Sequence, residues 1–371
     1  MLSKYHAASI SRPNKVSLSR EKPTEKFHTI QLLRFVAFFI VVVCHATFYT
    51  AERLVKGFYQ YDSGYNGVVL FFIISGFVMV VSSEKLLLRD KAWQVFAVRR
   101  IVRIIPIYWM LTTYKLILMF FASNLMLHSH ISLITGLKSY FFIPALNADG
   151  IFYPVVGVGW TLNLEMFFYL LFAIALAIRV RPVVFLSLSF IPLFILSFYA
   201  RTSWPDCRFY AQPLIINFIL GILIAKLILN GLRLSKLISM VLLVTGLFVI
   251  IIPNEFVLPL LRHNQLYYKL FVFTAAFLVV YSAVSIEKHL KFQIPAWLMF
   301  LGGASYSLYL IHPLIAPLAP AIMKVLNLPF PWTAVCAAIS LALAGGVLFY
   351  LFIERPLTKF LVRKAGSLNL S

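Results

Sequence analysis

Apolar residues run through this chain in long blocks separated by short polar stretches. That is the pattern of helices surrounded by apolar matter on every side, not of amphipathic helices laid on a soluble core. A window of about 19 residues marks about ten candidate spans, at 30–50, 66–83, 104–122, 159–178, 183–199, 211–229, 237–252, 268–284, 298–318 and 333–353. The fifth and seventh are short and flanked by proline. The pattern predicts an all-α polytopic integral membrane protein of about ten transmembrane helices. The first apolar run is too long for the core of a cleavable signal and has no small-residue exit, so it reads as a retained first span. The expected organisation is a basic, disordered cytoplasmic tail at 1–29, one transmembrane domain at 30–356 and a cytoplasmic tail at 357–371.

Composition agrees: 61% of residues are hydrophobic and 12% charged, which is membrane-protein usage. The net charge of +21 would suggest nucleic acid in a soluble protein. Its distribution says otherwise. With the N-terminus inside, 23 Lys and Arg fall on the inner side and 7 on the outer side, while Arg34, Lys115 and Lys269 lie within spans. This asymmetry places both termini in the cytoplasm and explains the charge as a topology signal, so no nucleic-acid partner is expected. Cys44, Cys207 and Cys336 have no spacing that suggests a bridge or a metal site. His128-Ser129-His130 has no neighbouring acid or cysteine and reads as a solvated loop, so no metal is expected.

Ionisable residues within spans carry the candidate chemistry. Arg34 and His45 are eleven residues apart in the first span. On a helix that is three turns plus about 20°, so both share one face, roughly 16 Å apart along the axis. A snorkelling arginine and a packing histidine are the plain alternative. Glu165 is the one acid well inside a span. Counted from Gly159 as the outer rim it lies about 9 Å deep, matching His45, which predicts that the two face one another or share a cavity. A histidine oriented by a carboxylate makes a general base for a hydroxyl; a buried pair that merely pins two helices is the alternative.

Arg100 and Arg103 stand one turn apart at an inner helix start and present two forked donors, suited to phosphates of lipid headgroups or of a cytoplasmic ligand. In the second span Gly67 and Gly76 allow close backbone approach. Asn66 lies near the inferred depth of His45, and Ser75 precedes Gly76. Ser305, Tyr309 and His312 recur at helical spacing as a polar stripe, for hydrogen bonding between helices or for substrate contact. Lys115 reads as a snorkelling residue.

Together these residues resemble the acyltransferase 3 family of membrane-embedded acyltransferases that decorate bacterial cell-surface glycans, and within it the exopolysaccharide acetyltransferases of the succinoglycan type. The resemblance runs from about residue 27 to 360. It is carried by Leu33-Arg34 through Cys44-His45, which fits the family's Arg-x10-His signature, and by Gly67–Phe77, Arg99–Trp109, Gly159–Tyr169, Ser305–Pro313 and Phe352–Pro356. Many relatives have a serine and a second acid where this chain has Asn163 and Met166.

The resemblance implies acetyl-CoA or another acyl-CoA as donor. The implied acceptor is a hydroxyl on a lipid-linked or polymeric glycan, and the setting is the bacterial cytoplasmic (inner) membrane among its lipids. It implies His45 as catalytic base with Glu165 and Arg34 as partners, and Arg100 and Arg103 as the grip on donor phosphates. Trp160 and Asn163, from the fourth block, join Asn66, Ser75, Tyr309 and His312 as residues expected along the substrate. Ten spans with an interior His and Glu also suit a proton-coupled secondary transporter or polysaccharide exporter, which is the alternative.

Overall fold

The computed structural model of the protein describes residues 27–86, 91–121, 132–146, 150–200, 204–257, 264–290 and 293–367. Its helices, in chain order, are α1 (His28–Arg53), α2 (Gly64–Ser83), α3 (Ala92–Phe121), α4 (Leu133–Tyr140), α5 (Trp160–Ala177), α6 (Pro182–Leu196), α7 (Pro205–Tyr210) and α8 (Ile216–Leu229). They continue with α9 (Lys236–Ile251), α10 (Gln265–Ile286), α11 (Ala296–Gly303), α12 (Ser305–Ile315), α13 (Leu318–Val325), α14 (Pro331–Phe349) and α15 (Arg355–Ser367). The described residues form no strand beyond one isolated bridge, Leu146 to Phe152.

Among the described residues, seven helical stretches are long and apolar enough to cross a membrane: His28–Arg53, Gly64–Ser83, Ala92–Phe121, Gly157–Ala177, Gln265–His289, Ser305–Val325 and Pro331–Ala365. The protein is thus a polytopic membrane protein. The other three expected spans are the apolar helices α6, α8 and α9, of 15, 14 and 16 residues. At 1.5 Å per residue their α-helical parts reach about 21–24 Å against a hydrocarbon core of about 30 Å, and a 3-10 turn extends α8 back to Pro213. The expected span 298–318 is not continuous. The helix breaks at Ala304 between α11 and α12, and the apolar run continues to Val325.

The bundle is organised around α2, whose most apolar window is 72% buried against 28% for α3. It packs against α1, α8 and α10 and touches α5 and α9. A helix that is apolar on all sides has no preferred face, so glycine decides where it can be approached. A Cβ on Gly76 would lie 2.2 Å from the Phe218 carbonyl oxygen, and one on Gly221 would lie 2.1 Å from that of Ile73. The two glycines face each other's backbones at the α2–α8 crossing. Beside it the rings of Phe168 and Phe218 stack at 4.3 Å, with Phe72 edge-on to Phe218 at 4.6 Å.

Two helix ends bear on the site. The start of α1 has no side-chain cap of its own; Glu287, just after α10, supplies one from 258 residues away. Its carboxylate accepts from the His28 and Thr29 amides and, at 2.6 Å, from the Thr29 hydroxyl. The orphan N–H groups of the helix start are thereby satisfied by an anion at the positive end of the dipole. At the other end of the chain α14 passes through a π-helical turn, Tyr350–Glu354, into α15. The extra residue in that turn brings Glu354 inward, 6% exposed. The expected tail after residue 357 is helical as far as Ser367, packed against α3. The N-terminal tail lies outside the described residues up to position 26.

Candidate active site

Three guanidiniums and one carboxylate meet in a cavity inside the bundle. Arg34 from α1, Arg100 and Arg103 from α3 and Glu165 from α5 line it, together with Ser75, Tyr169, Ser305 and Tyr309, and its volume is about 110 Å³. The eleven-residue separation in α1 and the one-turn spacing in α3 place all three arginines toward the end of the bundle that charge counting assigns to the cytoplasm. Tyr306, at the start of α12, fixes this wall by donating from its hydroxyl to the Ile104 carbonyl at 2.8 Å.

Each charged group is held in its own way. Arg100 lies over the rings of Phe96 and Tyr169, its Cζ 5.6 Å from either centroid, and donates from Nη2 to Ser82 Oγ at 3.1 Å. Its Nε is buried and has no hydrogen-bond partner. Two aromatic faces and one hydroxyl thus orient the cation and leave a donor in reserve. Glu165 accepts from Ser75 Oγ at 3.2 Å and from the Tyr169 hydroxyl one turn away on its own helix. Glu165 and Glu354 are the carboxylates within electrostatic reach of Arg34. Glu354 itself accepts from Ser307 Oγ and also faces Arg103.

The expectation that Glu165 faces His45 is therefore corrected. Counting depth from Gly159 took that residue as the rim, whereas Val155, Val156 and Val158 ahead of it are 0%, 1% and 4% exposed. The residues ahead of the helix are packed inside the protein, so Gly159 is not an exposed rim from which depth can be counted. A carboxylate out of water also gains far more from guanidiniums than from a neutral imidazole.

His45 has a different partner. Its Nδ1 lies 2.7 Å from Nε2 of His312, on α12, and the two rings lie edge to edge and near-coplanar, centroids 5.0 Å and planes 18° apart. His312 is fully buried, edge-on to Phe38 at 5.9 Å. Neither histidine lines the cavity. Between them and it stands Tyr309, whose hydroxyl is 3.1 Å from Thr161 Oγ1 and whose ring lies 5.8 Å from His312 and 5.5 Å from Phe71. Tyr309 thus lines the arginine cavity and also contacts the histidine pair.

The polar stripe of α12 is split between the two, Ser305 and Tyr309 to the cavity and His312 to the pair. Of the other residues expected along a substrate, Ser75 lines the cavity and three do not. Asn66 is fully buried and donates to the Ile250 carbonyl at 3.1 Å, within a network of Asn254 and Tyr268 that ties α2 to the segment after α9. Trp160 packs half-buried against the core, and Asn163 is 1% exposed with its Oδ1 unpaired. His128 and His130 lie outside the described residues. Tyr169 and Glu354 join the site without having been singled out. The signals available for them were the i, i+4 spacing of Glu165 and Tyr169, and an acid closing an apolar run.

Apolar helices enclosing a charged cavity beside a half-buried and a fully buried imidazole define a membrane-embedded protein with a polar site inside its bundle, not a passive anchor. A family profile described as an acyltransferase domain matches residues 27–351, and the chain belongs to the acyltransferase 3 family. It is 30% identical over 319 residues to the exopolysaccharide production protein ExoZ of Rhizobium meliloti (strain 1021), an alignment covering 84% of this chain and 94% of that protein. No solved structure gives a significant match. Family membership decides between the two functional readings of the sequence in favour of acyl transfer.

Proposed function

We propose that the protein transfers an acetyl or other short acyl group from acyl-CoA to a sugar hydroxyl of an exopolysaccharide or related glycan at the bacterial inner membrane. The observation that carries the proposal is the convergence of Arg34, Arg100 and Arg103 on one cavity that holds a single lining carboxylate. An excess of buried positive charge suits a donor with several phosphates, and an oriented guanidinium with a spare N–H suits bidentate capture of one of them. The glycan acceptor is suggested by the similarity to an exopolysaccharide production protein.

In this reading CoA phosphates rest on Arg100 and Arg103, with Arg34 further along the donor's path. His45 removes the proton from the acceptor hydroxyl, and the alkoxide attacks the thioester carbonyl. The carbon–sulfur bond breaks, and CoA leaves as a thiolate that takes a proton. Glu165 and Glu354 offset part of the arginine charge and keep Tyr169 and Ser307 in place. Tyr309 forms the partition through which donor and base must meet, so its contact with Thr161 opens during turnover.

The test is acetylation of surface polysaccharide in cells expressing wild-type or His45→Ala protein, read by mass spectrometry. Loss of the acetyl groups with normal accumulation of the variant is expected. Retained acetylation would refute His45 as the base.

A further inference from the structure

Two imidazoles joined edge to edge, with no carboxylate among the described residues bonded to either, raise the question of where the shared proton lies. His45 Nδ1 and His312 Nε2 are 2.7 Å apart, so one carries hydrogen and the other a lone pair. The choice is made on the far side of His312. Its Nδ1 is 3.3 Å from the Leu308 carbonyl, and the Tyr309 carbonyl also addresses the ring. Carbonyl oxygens only accept, so Nδ1 of His312 carries the hydrogen and Nε2 the lone pair. The Tyr309 carbonyl is free for this because Pro313, four residues on and inside the same helix, has no N–H to offer it. The His312-Pro313 dipeptide therefore supplies the ring and leaves free a carbonyl, one turn earlier, that can accept from it. It follows that His45 donates from Nδ1 and holds its lone pair on Nε2.

We propose that His312 is a positioning residue for the reaction, setting His45 in the Nδ1–H form so that Nε2 faces the acceptor hydroxyl as a base. The proposal rests on the assignment of His45 as general base made above. Isolated histidine prefers the opposite tautomer, with hydrogen on Nε2 and no base at that atom. His312 takes the place that a carboxylate holds in a catalytic triad, with a neutral ring in place of an anion. When Nε2 takes the hydroxyl proton, the charge stays on His45 and its Nδ1–H continues to donate to His312; no second proton moves. The hydrogen bond to His45 and the edge-on contact with Phe38 hold the His312 ring in this orientation. The titratable groups that face the pair are Tyr49, 5.9 Å from His45, and Tyr309, 5.8 Å from His312. No acid or cation among the described residues registers on either ring.

The tautomer can be read directly by solid-state nitrogen NMR of the full-length protein, labelled with ¹⁵N-histidine and held in lipid nanodiscs. The His45 and His312 signals are assigned from His45→Gln and His312→Gln. Wild-type His45 is expected to show a protonated Nδ1 and a bare Nε2. His312→Leu is expected to shift it to the Nε2–H form. Transfer is assayed with acetyl-CoA and, as acceptor, membranes from cells lacking the enzyme. His312→Leu should lower kcat by about 100-fold and leave KM for acetyl-CoA unchanged. His312→Gln, whose side-chain oxygen still accepts from Nδ1–H, should keep the wild-type tautomer and stay within about tenfold of wild-type kcat, a rescue that lost packing alone would not give. A wild-type His45 with hydrogen on Nε2 overturns the proposal, as does equal loss in the Gln and Leu variants. Activity retained in His45→Ala would strike the general-base assignment instead, because the wild-type spectrum reports the tautomer independently of turnover.

Discussion

Arg100→Ala tests the donor cavity most directly. In the wild type the guanidinium is held by two ring faces and Ser82 Oγ, with Nε left over. A hydrogen bond to a charged group contributes about 1.5–3 kcal/mol, and about 2 kcal/mol corresponds to roughly a 30-fold rise in Kd for CoA. Ligand stabilisation follows RT ln(1 + [L]/Kd), so CoA at about 100 times the wild-type Kd adds about 2.7 kcal/mol. After a 30-fold weakening the same CoA concentration adds about 0.9 kcal/mol. Thermal unfolding of purified protein, with and without CoA, reads that difference. Removing the two cation–π contacts also costs the free protein about 1–2 kcal/mol, so the comparison is made within each variant. Arg100→Lys keeps the charge without the planar fork and falls between the two. Equal CoA stabilisation of wild type and Arg100→Ala would refute the reasoning, and so would a wild type that CoA does not stabilise.

Glu165→Gln still offers an oxygen to Tyr169 and removes the cavity's lining carboxylate; it should accumulate normally and bind CoA about fivefold more tightly, about 1 kcal/mol. Weaker binding in a CoA titration would show that the carboxylate touches the donor and does not merely neutralise arginines. Gly76→Val places a Cβ where 2.2 Å separates it from the Phe218 carbonyl oxygen. Relieving that contact needs about 1 Å of helix displacement and costs about 3 kcal/mol, so the variant should fail to accumulate; normal yield in a membrane fraction would contradict the crossing. Glu287→Ala removes the remote cap of α1 and should cost about 1–2 kcal/mol, seen as faster amide exchange at residues 28–31 with little change at α12. Unchanged exchange would show that the helix start holds without it.

The apolar blocks placed the long helices well, because a helix in lipid must satisfy its backbone within itself and so declares its length in consecutive apolar residues. The three other apolar blocks form helices of 14 to 16 residues, because apolarity reports what surrounds a helix, not how far it reaches. Arg100 with Arg103 was legible as a pair because both lie on one helix, where 3.6 residues per turn fixes their faces; Arg34 and His45 also share a helix, yet Arg34 lines the cavity and His45 meets His312. Asn66 looked like a site residue by depth, and its burial among Asn254 and Tyr268 appears only when the segment after α9 is packed beside α2.

By itself the sequence determined the class of protein, its family and the arginine side of the site. Only the tertiary structure decided who meets whom across helices. His45 and His312 are 267 residues apart and meet at one hydrogen bond, while Glu165 turns away from His45 to the guanidiniums of α1 and α3. Periodicity says which residues share a face, but in helices apolar on every side it carries no record of which faces touch. That is set by glycine contacts such as Gly76 with Gly221, and by the need of each buried polar group for a partner of complementary charge or hydrogen.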